Sequence, residues 1–352
     1  MSRRNRKVVN LALQGGGAHG AFTWGALDRL LEEEAIAIEG IAATSAGAMN
    51  AAALKSGYLA GGREAARRSL DAFWLKVAGL DGFLPEGMLD WLRAVAPDPS
   101  VTARALEASP IALAAEAVTR FLSPYQFNPV NYHPMRAIVT AMFNYDRVCA
   151  DAWPRLFICA TNVRSGKIKV FSGDEITPDA ILASACLPTL YQAIEIEDPE
   201  TGDVEAYWDG GYTGNPALYP LFYRTETSDV VIVHINPLRR DDLPRTATEI
   251  LNRINEISFN SSLLRELRAI EFVHRLIEAG RIPEGTMKDV RIHSVQDDAF
   301  MRQLGVATKL TPNRGLLLQL KEAGRTAMDR FLTDHWGAIG REGTVDLRGM
   351  FS

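Results

Sequence analysis

Val8-Val9-Asn10-Leu11-Ala12-Leu13-Gln14-Gly15-Gly16-Gly17-Ala18-His19-Gly20 is an apolar run that stops abruptly in a cluster of glycines. The run is too short for a helix and rich in aliphatic residues, which predicts a buried strand over Val8–Leu13. After the glycines, Phe22, Ala26, Leu27, Leu30 and Leu31 fall on one face at helical spacing, predicting a helix over Ala21–Glu33. A second short strand is expected over Ile41–Thr44. It runs straight into small residues and a helix over Ala46–Ser56 ended by Gly57. Strand, loop, helix, strand, turn, helix is the opening of an α/β sheet with parallel strands.

Outward from this opening the pattern changes. Residues 61–150 read as mostly helical, punctuated by Pro85, Pro97, Pro99, Pro110 and Pro124, with a strand expected only at Ala137–Met142. Strand signals return at Arg155–Thr161, Lys167–Phe171, Val204–Trp208 and Val230–Ile235. A long mixed-charge helix is expected from about Thr246 to Ala279, then a strand near Val290–Val295 and a closing helix over Arg314–His335. No internal repeat or low-complexity tract interrupts this order. The layout is one α/β domain over residues 1–352, with a helical insertion at about 61–150 and a C-terminal helical extension from about 246.

Composition narrows the function classes. A net charge of −5 over 352 residues argues against a dedicated nucleic-acid binder. Cys149, Cys159 and Cys186 are odd in number and lie in apolar surroundings, so neither a disulfide framework nor metal-ligand spacing follows. Ser2-Arg3-Arg4-Asn5-Arg6-Lys7 looks like the charged start of an export signal. An export signal also needs an apolar stretch of roughly 7–15 residues, whereas Asn10 and Gln14 interrupt the run here. No stretch reaches the ~18–20 apolar residues that span a bilayer. A cytoplasmic protein is expected, able to touch a membrane from its inner face.

The glycine loop alone has three readings. Gly15-Gly16-Gly17-Ala18-His19-Gly20 fits G-x-G-x-x-G, the dinucleotide fingerprint of an oxidoreductase. Backbone N–H groups at a helix N-terminus also suit an oxyanion hole. The plain alternative is a tight turn packing helix on strand. A dinucleotide site wants an acidic residue at the end of the second strand. Glu39 precedes that strand instead, and Thr44-Ser45-Ala46-Gly47 stands at its end.

Ala43-Thr44-Ser45-Ala46-Gly47 is G-x-S-x-G with its first glycine replaced by alanine. Such a turn holds a serine on a sharp strand-to-helix bend, and the neighbours two residues either side must be small. A helix N-cap would account for Ser45, but not for the small Ala43 and Gly47 flanking it. Ser45 is therefore read as a nucleophile, which needs a base. Trp208-Asp209-Gly210-Gly211 places a carboxylate directly after a strand, and the polar Tyr212-Thr213-Gly214-Asn215-Pro216 that follows is unlike the return strand of an Asp-Gly hairpin. The rival is His234, because Ser45, Asp209, His234 is the chain order of an α/β-hydrolase triad. His234 sits inside an apolar strand run, and only one strand precedes Ser45 where α/β-hydrolases build several. Asp209 is the expected base.

Taken together, Gly15–Gly20, Thr44-Ser45-Ala46-Gly47 and Asp209-Gly210-Gly211 resemble the glycine loop, nucleophile elbow and D-G-G/A motif of bacterial patatin-like phospholipases. Ala183-Ser184-Ala185-Cys186-Leu187-Pro188 and Asn215-Pro216 resemble the stretches before and after that aspartate, so order and spacing agree over roughly residues 8–236. The resemblance implies a three-layer α/β/α sandwich with a mostly parallel sheet. It also implies a Ser–Asp dyad without histidine, and hydrolysis of acyl-ester lipids without metal or other cofactor. Ser45 would be the nucleophile and Asp209 the base. The amides of Gly15, Gly16 and Gly17 would form the oxyanion hole, with Ala43, Gly47, Gly210 and Gly211 supporting the motifs. Two positions depart from the family: Ala43 replaces the first elbow glycine, and His19 stands where many relatives carry arginine or lysine.

A polyester depolymerase or thioesterase would use the same dyad. An acyl chain needs an apolar channel, and Phe73, Trp74, Leu80, Phe83, Leu84, Met88, Trp91 and Leu92 are read either as a lid or membrane-facing rim or as ordinary core. Arg63, Arg67 and Arg68 are read either as a headgroup contact or as a solvated helix face. The long helix carrying Arg253, Glu256, Arg265, Glu266, Arg268 and Glu271 is expected to present a solvated face as well.

Overall fold

The computed structural model describes residues 6–79, 121–199, 201–241, 243–283 and 285–351. Its strands are β1 (Lys7–Leu13), β2 (Ile36–Thr44), β3 (Arg155–Asn162), β4 (Ile168–Ser172), β5 (Ile194–Glu197), β6 (Val204–Asp209), β7 (Asp229–Val233) and β8 (Arg291–Val295). The main helices are α1 (Ala21–Leu31), α2 (Ala46–Ala78), α3 (Met135–Met142), α4 (Pro178–Ser184), α5 (Ala247–Glu278) and α6 (Arg314–His335); shorter turns are named by their residues.

Hydrogen bonds join the strands in the order β5-β6-β3-β2-β1-β7-β8, with β4 beside β3. β3, β2, β1, β7 and β8 pair in parallel, while β4, β5 and β6 pair antiparallel. Alternation along β1 sorts the core into two layers. Val9, Leu11 and Leu13 face a cluster with α1, α2 and α6, whereas Ala12 joins Ile232, Leu263, Leu267 and Ile270 under α5. The chain is thus a mostly parallel sheet with helices on both faces, the expected α/β/α architecture.

Most expected elements are present, and the differences have local causes. β2 starts at Ile36 because the extra residue that puts Leu11 opposite Ile41, after Val9 opposite Ile38, is a bulge at Glu39–Gly40. That pair had masked the first half of a strand buried at every position. Gly57 does not end α2. The helix runs on to Gly61-Gly62, where the backbone leaves helical geometry, and resumes to Ala78.

Ala137–Met142 is helical, the greater part of α3, and not a strand. Its buried Ile138 and Val139 pack in the core beneath α2. β5 had no strong sequence signal: its Ile-Glu-Ile-Glu pattern buries only Ile194 fully.

Phe73 and Trp74 are core, with Trp74 stacked on Trp24 at 6.2 Å and donating from Nε1 to Asn50 at 2.9 Å. Leu80, Phe83, Leu84, Met88, Trp91 and Leu92 lie outside the described residues. Arg67 pairs with Asp28 and Glu32, and Arg68 with Glu64. α5 is not simply a solvated face: Glu256 is buried against Arg240, and Glu266 accepts from the N–H groups of Leu218 and Tyr219. Nor is the C-terminal part an appendage, since β8 extends the sheet beside β7 and α6 lies along α1.

Candidate active site

β3 brings the two halves of the site together. Its residues Phe157–Cys159 pair with β2 and β4 at once, and Ala160–Thr161 pair with β4 and β6 at once. A strand has only two edges, so β2 and β6 share one edge of β3 end to end. β2 arrives in parallel and stops with Thr44 opposite Cys159. β6 arrives antiparallel and stops with Asp209 opposite Ala160. The C-terminal ends of both strands therefore meet, and the next residue after Thr44 is Ser45.

Ser45 has φ 55° and ψ −122°, a conformation that costs about 1–3 kcal/mol for a residue with a side chain. Its surroundings hold it there. The Ser45 N–H donates to Ser184 Oγ at 2.8 Å, and Ser184 in turn donates to the Cys159 carbonyl at 2.6 Å. Thr44 Oγ1 donates to the Gly214 carbonyl at 2.6 Å, tying the turn to the segment after Asp209. Ser45 begins α2, whose positive end it therefore faces. Ala43 is buried in β2 opposite Leu13 and Ile158, and Gly47 lies against the Leu13 carbonyl in the first turn of α2.

Asp209 is 1% exposed. One carboxylate oxygen accepts the Gly211 N–H at 2.7 Å, and the backbone carbonyl accepts from Thr161 Oγ1 at 2.8 Å. Gly210 packs against the Cys159 carbonyl, and Gly211 against Phe259 of α5. Burial pushes the carboxyl up to about 7, against the lowering effect of the Gly211 N–H and of the Ser45 side chain, which faces it as a hydrogen-bond donor. Ser45 and Asp209, remote in sequence, are thus brought to neighbouring strand ends on β3.

The glycine loop closes on Ser45. A Cβ at Gly15 would stand 2.6 Å from that of Ser45, so the loop can approach the serine only as glycine. Gly17 has φ +58° and lies under the Lys309 carbonyl. The expected three-amide oxyanion hole is corrected at Gly15: its N–H is taken by Asn215 Oδ1 at 2.6 Å and is not free to meet a ligand. The N–H groups of Gly16 and Gly17 have no hydrogen-bond partner among the described residues. Asn236 Nδ2 holds the Gly15 carbonyl at 2.7 Å, while Gln14 Oε1 accepts from the Ile235 and Asn236 N–H groups at 3.0 and 3.1 Å.

The structure does not bring His234 to the pair. It is 6% exposed, Nδ1 has no partner among the described residues, and burial alone holds it at about 4. His19 is buried too, with Nε2 2.7 Å from Thr308 Oγ1. Glu39 lies within β2 and accepts the N–H groups of Glu226 and Thr227, so it occupies no ribose-binding position. Ser184, Asn215 and Asn236 were the residues whose structural work the sequence did not reveal. The first two lay inside recognisable motifs, and Asn236 carried no signal.

Among solved structures, VipD from Legionella pneumophila aligns with 13% identity over 91% of this chain and 67% of that one, with a TM-score of 0.36. The ExoU–SpcU complex from the type III secretion system of Pseudomonas aeruginosa aligns with 17% identity over 98% of this chain and 65% of that one, with a TM-score of 0.32. The chain thus spans about two-thirds of the length of each. No curated relative matches it. Residues 11–222, which contain Ser45, Asp209 and the glycine loop, match the profile of the family described as patatin-like phospholipase. The chain belongs to the patatin-like phospholipase family, a family of lipid hydrolases.

Proposed function

We propose that the protein is a serine acyl-ester hydrolase acting on phospholipid, lysophospholipid or similar esters, with Ser45 as nucleophile and Asp209 as its base. One observation carries the reading: the ends of β2 and β6 meet on β3, which sets the buried Asp209 carboxyl beside Ser45, a serine held at positive φ. A base works best when its pKa lies near the working pH. The raised Asp209 is ionised in large part at neutral pH, yet basic enough to accept a serine proton.

Asp209 takes that proton as Ser45 Oγ attacks the ester carbonyl. The oxyanion forms beside the N–H groups of Gly16 and Gly17, and the positive end of α2 adds to the field. Collapse breaks the C–O bond, and Asp209 passes its proton to the departing alkoxide. Water then attacks the acyl-serine, giving its proton to Asp209, and collapse returns that proton to Ser45 Oγ while the fatty acid leaves. Contact with a lipid surface belongs to the same reading. Ile250, Ile254 and Ile257 are exposed at helical spacing on α5, and Phe259 of that helix packs beside Asp209 on Gly211. All three cysteines are unpaired, which supports a reducing, cytoplasmic compartment.

Labelling with a fluorophosphonate, followed by mapping of the modified residue, tests the assignment. Label on Ser45 is expected in the wild type and none in Ser45→Ala, and turnover in Asp209→Asn should fall about 100- to 10,000-fold. Label on another serine would overturn it.

A further inference from the structure

We infer that Thr308 and Lys309, in the turn Val306–Leu310 beyond the family-matched residues, are positioning residues that set the glycine loop so that its Gly16 and Gly17 amides meet the oxyanion. The inference rests on the esterase reading above and adds to it a part of the chain that the family motifs do not contain.

Three contacts run from this turn to the loop. Thr308 is 2% exposed, and its hydroxyl donates to the Gly305 carbonyl at 2.6 Å. A hydroxyl has one proton to give, so its 2.7 Å contact with His19 must be a bond donated by His19 Nε2. That fixes the imidazole as the neutral Nε2–H tautomer and pins the Gly17–Gly20 turn by its one polar side chain. Burial, Lys309 and Arg240 hold His19 well below its ordinary pKa, so the neutral form persists at working pH.

Second, Lys309 Nζ donates to Asn236 Oδ1 at 2.8 Å, and Asn236 Nδ2 donates to the Gly15 carbonyl at 2.7 Å. Lys309 therefore orients the amide that holds the loop's first residue. Third, the Lys309 carbonyl rests on Gly17, where any side chain would collide with it. The loop is gripped at Gly15, Gly17 and His19, while the N–H groups of Gly16 and Gly17 stay unbonded among the described residues.

An oxyanion donor is worth roughly 100- to 1000-fold in turnover when correctly aimed. Misplacement by a fraction of an ångström forfeits only part of that. Thr308→Val keeps the shape but removes the oxygen that accepts from His19, and should lower kcat and the rate of fluorophosphonate labelling at Ser45 about tenfold, with KM within about twofold. Thr308→Ser, which restores the acceptor, should recover both rates. Lys309→Met, which releases Asn236, should act in the same direction as Thr308→Val and serves as the test if that variant does not fold. A folded Thr308→Val or Lys309→Met protein with a lowered melting temperature but unchanged kcat and labelling rate would overturn the inference. Wild-type protein that takes no label at Ser45 would instead defeat the esterase reading itself.

Discussion

Asp209→Asn should make the protein more stable at the pH where it makes it inactive. Burial raises the folded-state carboxyl from 3.8 to about 7. Between those values the folded chain binds the proton and the unfolded chain does not, so stability falls as pH rises through this window. Above pH 7 the full penalty is present. Asparagine does not titrate, stands in for the protonated acid and can still accept the Gly211 N–H. A shift of about 3 units at 1.36 kcal/mol each sets a ceiling of about 4 kcal/mol in favour of the variant.

Melting curves of wild type and Asp209→Asn from pH 4 to 8.5 measure this difference. The two should nearly coincide at the acid end, and the variant should melt several degrees higher by pH 8. His234, held at about 4 by burial, destabilises both proteins as pH falls below its ordinary value, so it cancels in the comparison. In parallel, wild-type kcat/KM should rise about tenfold per pH unit below 7 and level off above it. A difference in melting temperature that does not change with pH would refute the raised pKa, and with it the reason this carboxylate can serve as base.

Two further substitutions probe the neighbours. Ser184→Ala strands the Ser45 N–H and the Cys159 carbonyl, and should cost about 2–4 kcal/mol in a denaturant titration while lowering kcat about 10- to 100-fold through a loosened Ser45 turn. His234→Ala should keep activity within about threefold, because nothing links His234 to Ser45 or Asp209 among the described residues; a folded but inactive variant would replace the dyad with a Ser–Asp–His triad.

Elements whose burial matches their periodicity were legible in the chain. β1, α1, α5 and α6 fall within a residue or two of their expected limits, because each carries an apolar-rich run, a clear helical face or strong caps such as Thr246 with Glu249, and Asn313. β2 was cut short because Glu39 and Gly40 look like a break, although the Glu39 carboxylate is satisfied by loop amides some 190 positions on. Ala137–Met142 reads as a strand because Ala-Ile-Val-Thr-Ala carries β-branched residues, and only packing under α2 selects the helix. Within the site, the groups with chemistry of their own were visible as motifs. The diversion of the Gly15 N–H to Asn215 was not, since it depends on a side chain 200 positions away.

A Ser–Asp pair without an intermediary histidine, as proposed above, fits the same geometry. In a Ser–His–Asp site the acid stays ionised and orients an imidazole, whose own pKa already lies near neutrality. Here β2 and β6 terminate on adjacent residues of β3, Cys159 and Ala160, which sets the carboxylate beside the serine turn with no imidazole held between them among the described residues. In the proposed dyad the carboxylate acts on the serine directly, and an ordinary aspartate near pKa 4 would be too weak a base. Burial supplies the correction: among the described residues no cation acts on Asp209, and the Gly211 N–H and the Ser45 side chain are what oppose its desolvation. The head-to-head meeting of two strand ends inside the sheet thus places the proposed base and buries it at once. A cation within a few ångströms of Asp209 would lower its pKa and weaken it, whatever its effect on the fold.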